Sequence, residues 1–304
     1  MKNIRLTLMT LGLIISCFTF AGAVAKADGT RSYISPSGSD NRPCTRNQPC
    51  RTFDGAMVKT EAGGEVIAFE GVYDPTTITK SITLTTVPGA EVIIKSSAGV
   101  NAVSIIVPPG TTVVLRGLKI SGTGKTGKGV TVAGSNSGLG LAVDSCDISN
   151  FAIGVDAVVI SSVLLTMHSS LVHDNVTGVI VKSGGTDNRG AAVTNSRFER
   201  NTWGIISQSG VSVDVRDTIA TDNSIGFFVE PGGTMTLFNC MASKNATGIE
   251  VRVNGRLTIG HSTITGNGTG LIANGQVRSM VNNMFAFNDI EIEDTPNVTP
   301  LVIF

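Results

Sequence analysis

The sequence predicts an all-β protein, a single right-handed parallel β-helix with a short helical cap at its N-terminal end. Three observations carry this: a repeat of about 22 residues, apolar–polar alternation inside each repeat, and an asparagine at a fixed place in it. Aligned on Gly154, Gly178, Gly204, Gly226, Gly248 and Gly270, the chain shows its regularity directly, the last four glycines being 22 residues apart.

Apolar residues stand in columns on this alignment. Just after the glycine come Val155, Val179, Ile205, Phe227, Ile249 and Leu271, and six residues before it Ile148, Val172, Phe198, Ala220, Ala242 and Ile264. Eleven before it stand Val143, Met167, Val193, Val215, Leu237 and Ile259; two residues earlier a further column runs from Leu141 to Leu257. Alternation at period two is that of a strand with one buried face, so each repeat is several short strands joined by turns. Leucine-rich repeats share the length, but their Leu and Asn framework is missing, and a propeller blade needs about twice the residues. Coiling the strands so that equivalent ones stack turns every column into interior.

The turns fit this coil. Asn175, Asn201, Asn223, Asn245 and Asn267 lie three residues before the glycine, and Asn150 four before its own. Asn tolerates left-handed backbone, and stacked amides can bond as a ladder. The glycine is expected to supply positive φ at the turn exit. The sequons at Asn175, Asn245 and Asn267 then read as ladder positions. A column of small residues, Cys146, Ser170, Ser196, Thr218, Cys240 and Ser262, places its two cysteines four coils apart, about 19 Å, far beyond disulfide reach.

Upstream, Val113–Leu115 with Leu118 and Ile120, and before them Ile78, Ile82, Leu84 and Val92–Ile94, suggest earlier coils. Residues 52–60 have helical character, with Thr52 as N-cap. Lys2 and Arg5, the apolar run Leu6–Phe20 and the small residues ending Ala23-Val-Ala-Lys-Ala27 form a secretion signal. A lipobox-like Ile14-Ile-Ser-Cys17 offers a second, less favoured reading as a lipid anchor. The expected organisation is a signal peptide over 1–27, an N-terminal cap segment over 28–75, the β-helix over 76–294 and a tail over 295–304. The expected destination is secreted or periplasmic. In an oxidising compartment Cys44 and Cys50, flanking a turn-rich stretch, are expected to pair.

Composition narrows the partners. With 23 basic and 23 acidic side chains the 304-residue chain has no formal net charge and no basic run, which argues against nucleic acid. No apolar stretch beyond the leader is long enough to span a bilayer. No cofactor or metal motif is found: Gly122-Thr-Gly-Lys-Thr-Gly127 fits a dinucleotide pattern only literally and reads as an inter-coil loop.

Tyr33-Ile-Ser-Pro-Ser-Gly-Ser-Asp40, Pro49-Cys-Arg-Thr-Phe53, Gly63-Gly-Glu-Val-Ile67 and Gly71-Val-Tyr73 resemble the leading segment of secreted proteins of the pectate-lyase-like superfamily, and the rest resembles their β-helix repeats. The resemblance covers nearly all of the mature chain. It implies the fold and leaves function open among lyases, hydrolases, epimerases, adhesins and binding modules. The paired aspartates, His-Gly and Arg-x-Lys of polygalacturonase-like hydrolases are absent from the sequence. The nearest outward cluster is Asp144, Asp147, His168, His173, Arg197 and Glu199, in which Asp144, His168 and Arg197 are the candidate catalytic residues, Asp144 and His168 sharing a column. The alternative for these residues is a solvated polar face. A column two residues after the glycine (Asp156, Ile180, Ile206, Phe228, Glu250, Ile272) reads as an apolar outer stripe suited to side-by-side self-association. Two functions follow: an extracellular glycan-binding or structural module, which the missing catalytic signatures favour, or an enzyme acting on an acidic polysaccharide.

Overall fold

The computed structural model describes residues 29–132, 138–159, 164–183, 190–280, 282–293 and 298–301. The leader, Cys17 and residues 302–304 lie outside the described residues. The chain winds as a parallel β-solenoid of about ten coils, with one sheet of 12 strands and two of ten running along its length. We call them the first, second and third sheets in the order each coil meets them. One coil comprises Gly140–Asp144 in the first sheet, Asp147–Ser149 in the second and Ile153–Val159 in the third. The next coil begins at Leu164–His168, directly alongside.

Stacking is in register, so the sequence columns become interior columns. Val143 lies opposite Met167, Ile148 opposite Val172 and Val155 opposite Val179, and all six are buried. Parallel pairing starts with Arg31–Ile34 on Glu65–Ala68, well ahead of residue 76, and Val298–Leu301 adds a last strand to the first sheet. The seven-residue helix Phe53–Lys59 lies against the strands Arg31–Ile34, Glu65–Ala68 and Thr76–Ile78 and buries Phe53, Ala56 and Met57. Thr52 caps it by accepting from the Gly55 N–H at 2.9 Å, and Asp40 in turn accepts from the Arg51 and Thr52 N–H groups. A disulfide joins Cys44 and Cys50 in this segment, with Cα atoms 4.6 Å apart.

The asparagine column forms a buried ladder. Asn223 Oδ1 accepts from both the N–H and Nδ2 of Asn201, while its own Nδ2 donates to Phe198 O, Thr221 O and Asn245 Oδ1. The same pattern runs from Asn175 to Asn288, a member that the spacing hid because it follows Asn267 by 21 residues. Three expectations are corrected here. Left-handed backbone belongs to the residue before each Asn (Asp174, Arg200, Asp222, Lys244, Gly266), which frees the Asn side chain to turn inward. Asn150 is itself such a turn residue, and Phe151 occupies the ladder position in its coil, its N–H donating to Asn175 Oδ1. The aligned glycines have ordinary φ; a Cβ on Gly178, Gly204 or Gly226 would meet the next coil's glycine oxygen at 2.3–2.7 Å, so close approach excludes any side chain.

The column of small residues is a second ladder. The N–H groups of Cys146, Ser170 and Ser196 donate to Ser170 Oγ, Ser196 Oγ and Thr218 Oγ1 at 3.1–3.4 Å. Cys146 and Cys240 are free thiols in this column, and burial pushes them up to about 12 and about 11. The outer column of the third sheet is buried at Asp156, Ile180, Ile206 and Glu250 and half-buried at Phe228 and Ile272. Ile180 and Ile206 are 7% and 5% exposed. Asp156 at its start is held between Lys128 and Lys182, at 2.5 and 2.9 Å; Lys182 stands out of hydrogen-bond alignment with Oδ1.

Asn223→Ala strips two donors and two carbonyls of their partner. At about 1–3 kcal/mol for a buried polar group left unpaired, the variant is expected to lose roughly 2–3 kcal/mol in denaturant unfolding. An unchanged midpoint would remove the ladder from the account of stability.

Candidate glycan-binding face

Strand period two sends alternate residues of the first sheet outward, and in-register stacking lines them up along the solenoid axis. Ala142, Thr166, Ala192, Thr236 and Thr258 share one outward column, interrupted by Asp214. These short side chains make a low floor. Beside it the next outward column carries Arg116, Asp144, His168, Thr194, Arg216 and Phe238 on six successive strands. Five strand steps at about 4.8 Å give this wall a length of about 24 Å.

The wall is organised by its own contacts. Arg116 Nε donates to Asp144 Oδ2 at 2.9 Å, and His168 Nδ1 and Thr194 Oγ1 are hydrogen-bonded at 2.9 Å. The Arg216 guanidinium sits 5.8 Å from the Phe238 ring centroid, and the Phe238 ring packs on His261 at 4.7 Å. His261 adopts left-handed backbone at the turn into the second sheet and is hydrogen-bonded to Asn282. Charged and polar groups thus run along the strip to an aromatic end at Phe238 and His261.

Asp144 and His168 are therefore opposite each other in the sheet, yet each side chain is engaged by another partner: Asp144 by Arg116, His168 by Thr194. Arg197 is not brought to them; it opens a strand of the second sheet and pairs with Glu199. Asp147, His173 and Glu199 join a different network, at the edge of the second sheet. His173 Nε2 meets Asp147 at 2.9 Å and Nδ1 meets Asp174 at 2.6 Å, while Arg200 binds Asp174 and Glu199. Hydrogen bonding from Arg200, opposed by some desolvation and helped by His173, lowers the Asp174 carboxyl to about 2. Sequence reading missed Arg116, Asp174, Arg200, Arg216 and Phe238. The left-handed turn column was the one signal that could have found Asp174 and Arg200.

The family described as periplasmic copper-binding protein (NosD) matches residues 109–300. This chain belongs to the NosD family. Among solved structures, XylC in complex with xylose aligns with a TM-score of 0.60 at 9% identity, over 82% of this chain and 68% of that one. The A-module of Azotobacter vinelandii mannuronan C-5 epimerase AlgE4 gives 0.54 at 14% identity, over 79% and 91%. Pectate lyase Pel9A gives 0.52 at 17% identity, over 91% and 79%. These likenesses establish the pectate-lyase-like fold. Among curated protein sequences, none matches this chain.

The NosD family description names copper, a metal held by convergent His, Cys, Met or carboxylate donors. Among the described residues no three His, Cys, Asp or Glu side chains converge on one point. Cys146 and Cys240 are buried and four coils apart, and the two nitrogens of His173 face acids on opposite sides. The described His, Cys, Asp and Glu residues of this chain do not fit a copper centre. Among the described residues, too, no helix is long and apolar enough to cross a membrane.

The Asp174–Arg200 pair makes a pH prediction. A depressed carboxyl stabilises the fold above its ordinary value of about 3.9 and loses that contribution as pH falls through about 2. In Arg200→Gln the Asp174 carboxyl, followed by NMR, is expected to titrate near its ordinary value. A titration still centred near the folded value would mean that Arg200 is not what holds it.

Proposed function

We propose that this chain is an exported glycan-binding module that holds an acidic polysaccharide along the strip from Arg116 to Phe238. The observation that carries the reading is the combination of a small-residue floor with an in-register wall of charged and aromatic groups. Such a strip suits an extended polymer laid parallel to the axis, with Arg116, Arg216 and His168 toward its acidic groups and Phe238 and His261 toward its sugar rings. Binding is favoured over turnover because the acid–base candidates are already paired: Asp144 with Arg116, His168 with Thr194, His173 with two carboxylates. A general base must be free to reach the proton it removes.

Export through the leader at 1–27 accords with the periplasmic description of the NosD family. The segment 28–75 closes the first coil through the helix Phe53–Lys59, and the winding is right-handed, the hand that parallel crossovers take almost without exception. A closed end also keeps strand edges from pairing with other chains.

Calorimetric titration of the mature protein with polygalacturonate and alginate, against neutral glucans, tests the proposal. Binding to the acidic polymers is expected, with no unsaturated product absorbing in the ultraviolet and no new reducing ends. Arg116→Ala combined with Arg216→Ala is expected to weaken binding at least about tenfold, equivalent to about 1.4 kcal/mol. Product formation abolished by Asp144→Ala or His168→Ala would replace the module with an enzyme.

A further inference from the structure

The glycine-rich loop Gly122–Gly127 is pinned to the coil before it. Thr126 Oγ1 accepts from the Gly99 N–H at 2.8 Å, and Thr123 Oγ1 donates to Ser96 O at 2.9 Å. Gly124 and Gly127 turn it with φ of 71° and 65°, and Lys125 between them is itself left-handed. So held, Lys125 lines a shallow groove of about 450 Å³ together with Arg200, Asp222, Lys244, Thr202 and Ser224. This groove follows the turns between the second and third sheets, the corner of the three-sided coil that the first sheet does not touch.

Its charges are not balanced. Arg200, Asp222 and Lys244 stand at the same left-handed position of successive coils, because Glu199, Thr221 and Ser243 before them are in register. At one strand spacing, alternating sign avoids repulsion between stacked neighbours. Arg200 is already engaged by Asp174 and Glu199, and Lys125 and Lys244 form no ion pair among the described residues. Two unpaired cations, Lys125 and Lys244, thus line the groove with the single carboxylate of Asp222, and the hydroxyls of Thr202 and Ser224 lie beside them.

We infer that this groove is a second binding site, independent of the first-sheet strip, for the carboxylate or sulfate groups of an acidic saccharide chain. Lys125 and Lys244 supply mobile point charges, Arg200 supplies guanidinium N–H donors, and the two hydroxyls serve both as donors and as acceptors for sugar hydroxyls. Arg200 and Lys244 are two coils apart, about 10 Å, a separation suited to charges repeated along a polymer rather than to one small ion.

Backbone amide shifts decide it. In the ¹⁵N-labelled protein, a short oligogalacturonate or a sulfated oligosaccharide is expected to shift the amides of Thr202, Ser224 and Ala246, and the two probes separate carboxylate from sulfate preference. In Lys125→Gln/Lys244→Gln these shifts are expected to vanish while any shifts at Thr194 and Arg216 persist. Both lysines lie at the surface, so an unchanged melting temperature verifies the fold. Groove amides that stay still with both probes, that shift equally in the double variant, or that respond only to a single-stranded oligonucleotide would overturn the inference. Because Thr194 and Arg216 report the strip separately, failure of one site leaves the other standing.

Discussion

Each coil of this molecule is hydrogen-bonded to the coil before it and the coil after it, in register, and everything else depends on that register. A slip of one residue would move every interior side chain to the outside. The apolar columns favour the right register by burial, but apolar packing alone tolerates shifts of two. The asparagine ladder removes that tolerance, since Asn175, Asn201, Asn223, Asn245 and Asn267 each bond the next amide, down to Asn288, at one position only. The hydroxyl column from Ser170 to Thr218 repeats the device at another corner.

Register is also what turns scattered residues into surfaces. Arg116 and Phe238 are 122 positions apart in sequence, yet they end one column because six strands stack without slipping. The Lys128–Asp156–Lys182 group spans three coils for the same reason. Its carboxylate is 2% exposed, so removing either cation would leave a poorly compensated charge. Function in such a scaffold lies in the outward columns, because the inward ones are committed to packing.

The coil was legible in sequence because burial repeats: Val143, Met167 and Val193 recur at one offset whatever the loops do. The reasons for individual residues were less so. The aligned glycines looked like positive-φ positions, but what excludes a side chain is the oxygen of the neighbouring coil, a contact between residues more than twenty positions apart. Asp144 and His168 were correctly placed side by side, while their true partners were hidden. Arg116 precedes Asp144 by 28 residues, a spacing lengthened by the loop at 122–127 and by residues before Gly140, so no fixed offset points to it. Arg197 was misjudged as a companion of Asp144 because a sharp turn after each first-sheet strand sends it onto another sheet.

Native-state hydrogen exchange at the ladder amides is the most direct test. The N–H groups of Asn201, Asn223 and Asn245 each donate to the Oδ1 of the next asparagine at 2.9 Å, although all three lie in turns. If the ladder fixes register, these turn amides exchange as slowly as those of the interior strand residues Val193 and Val215, opening only when the coils themselves separate. Exchange as fast as at the exposed loop residue Ser209 would contradict the account, leaving apolar packing alone to set the register.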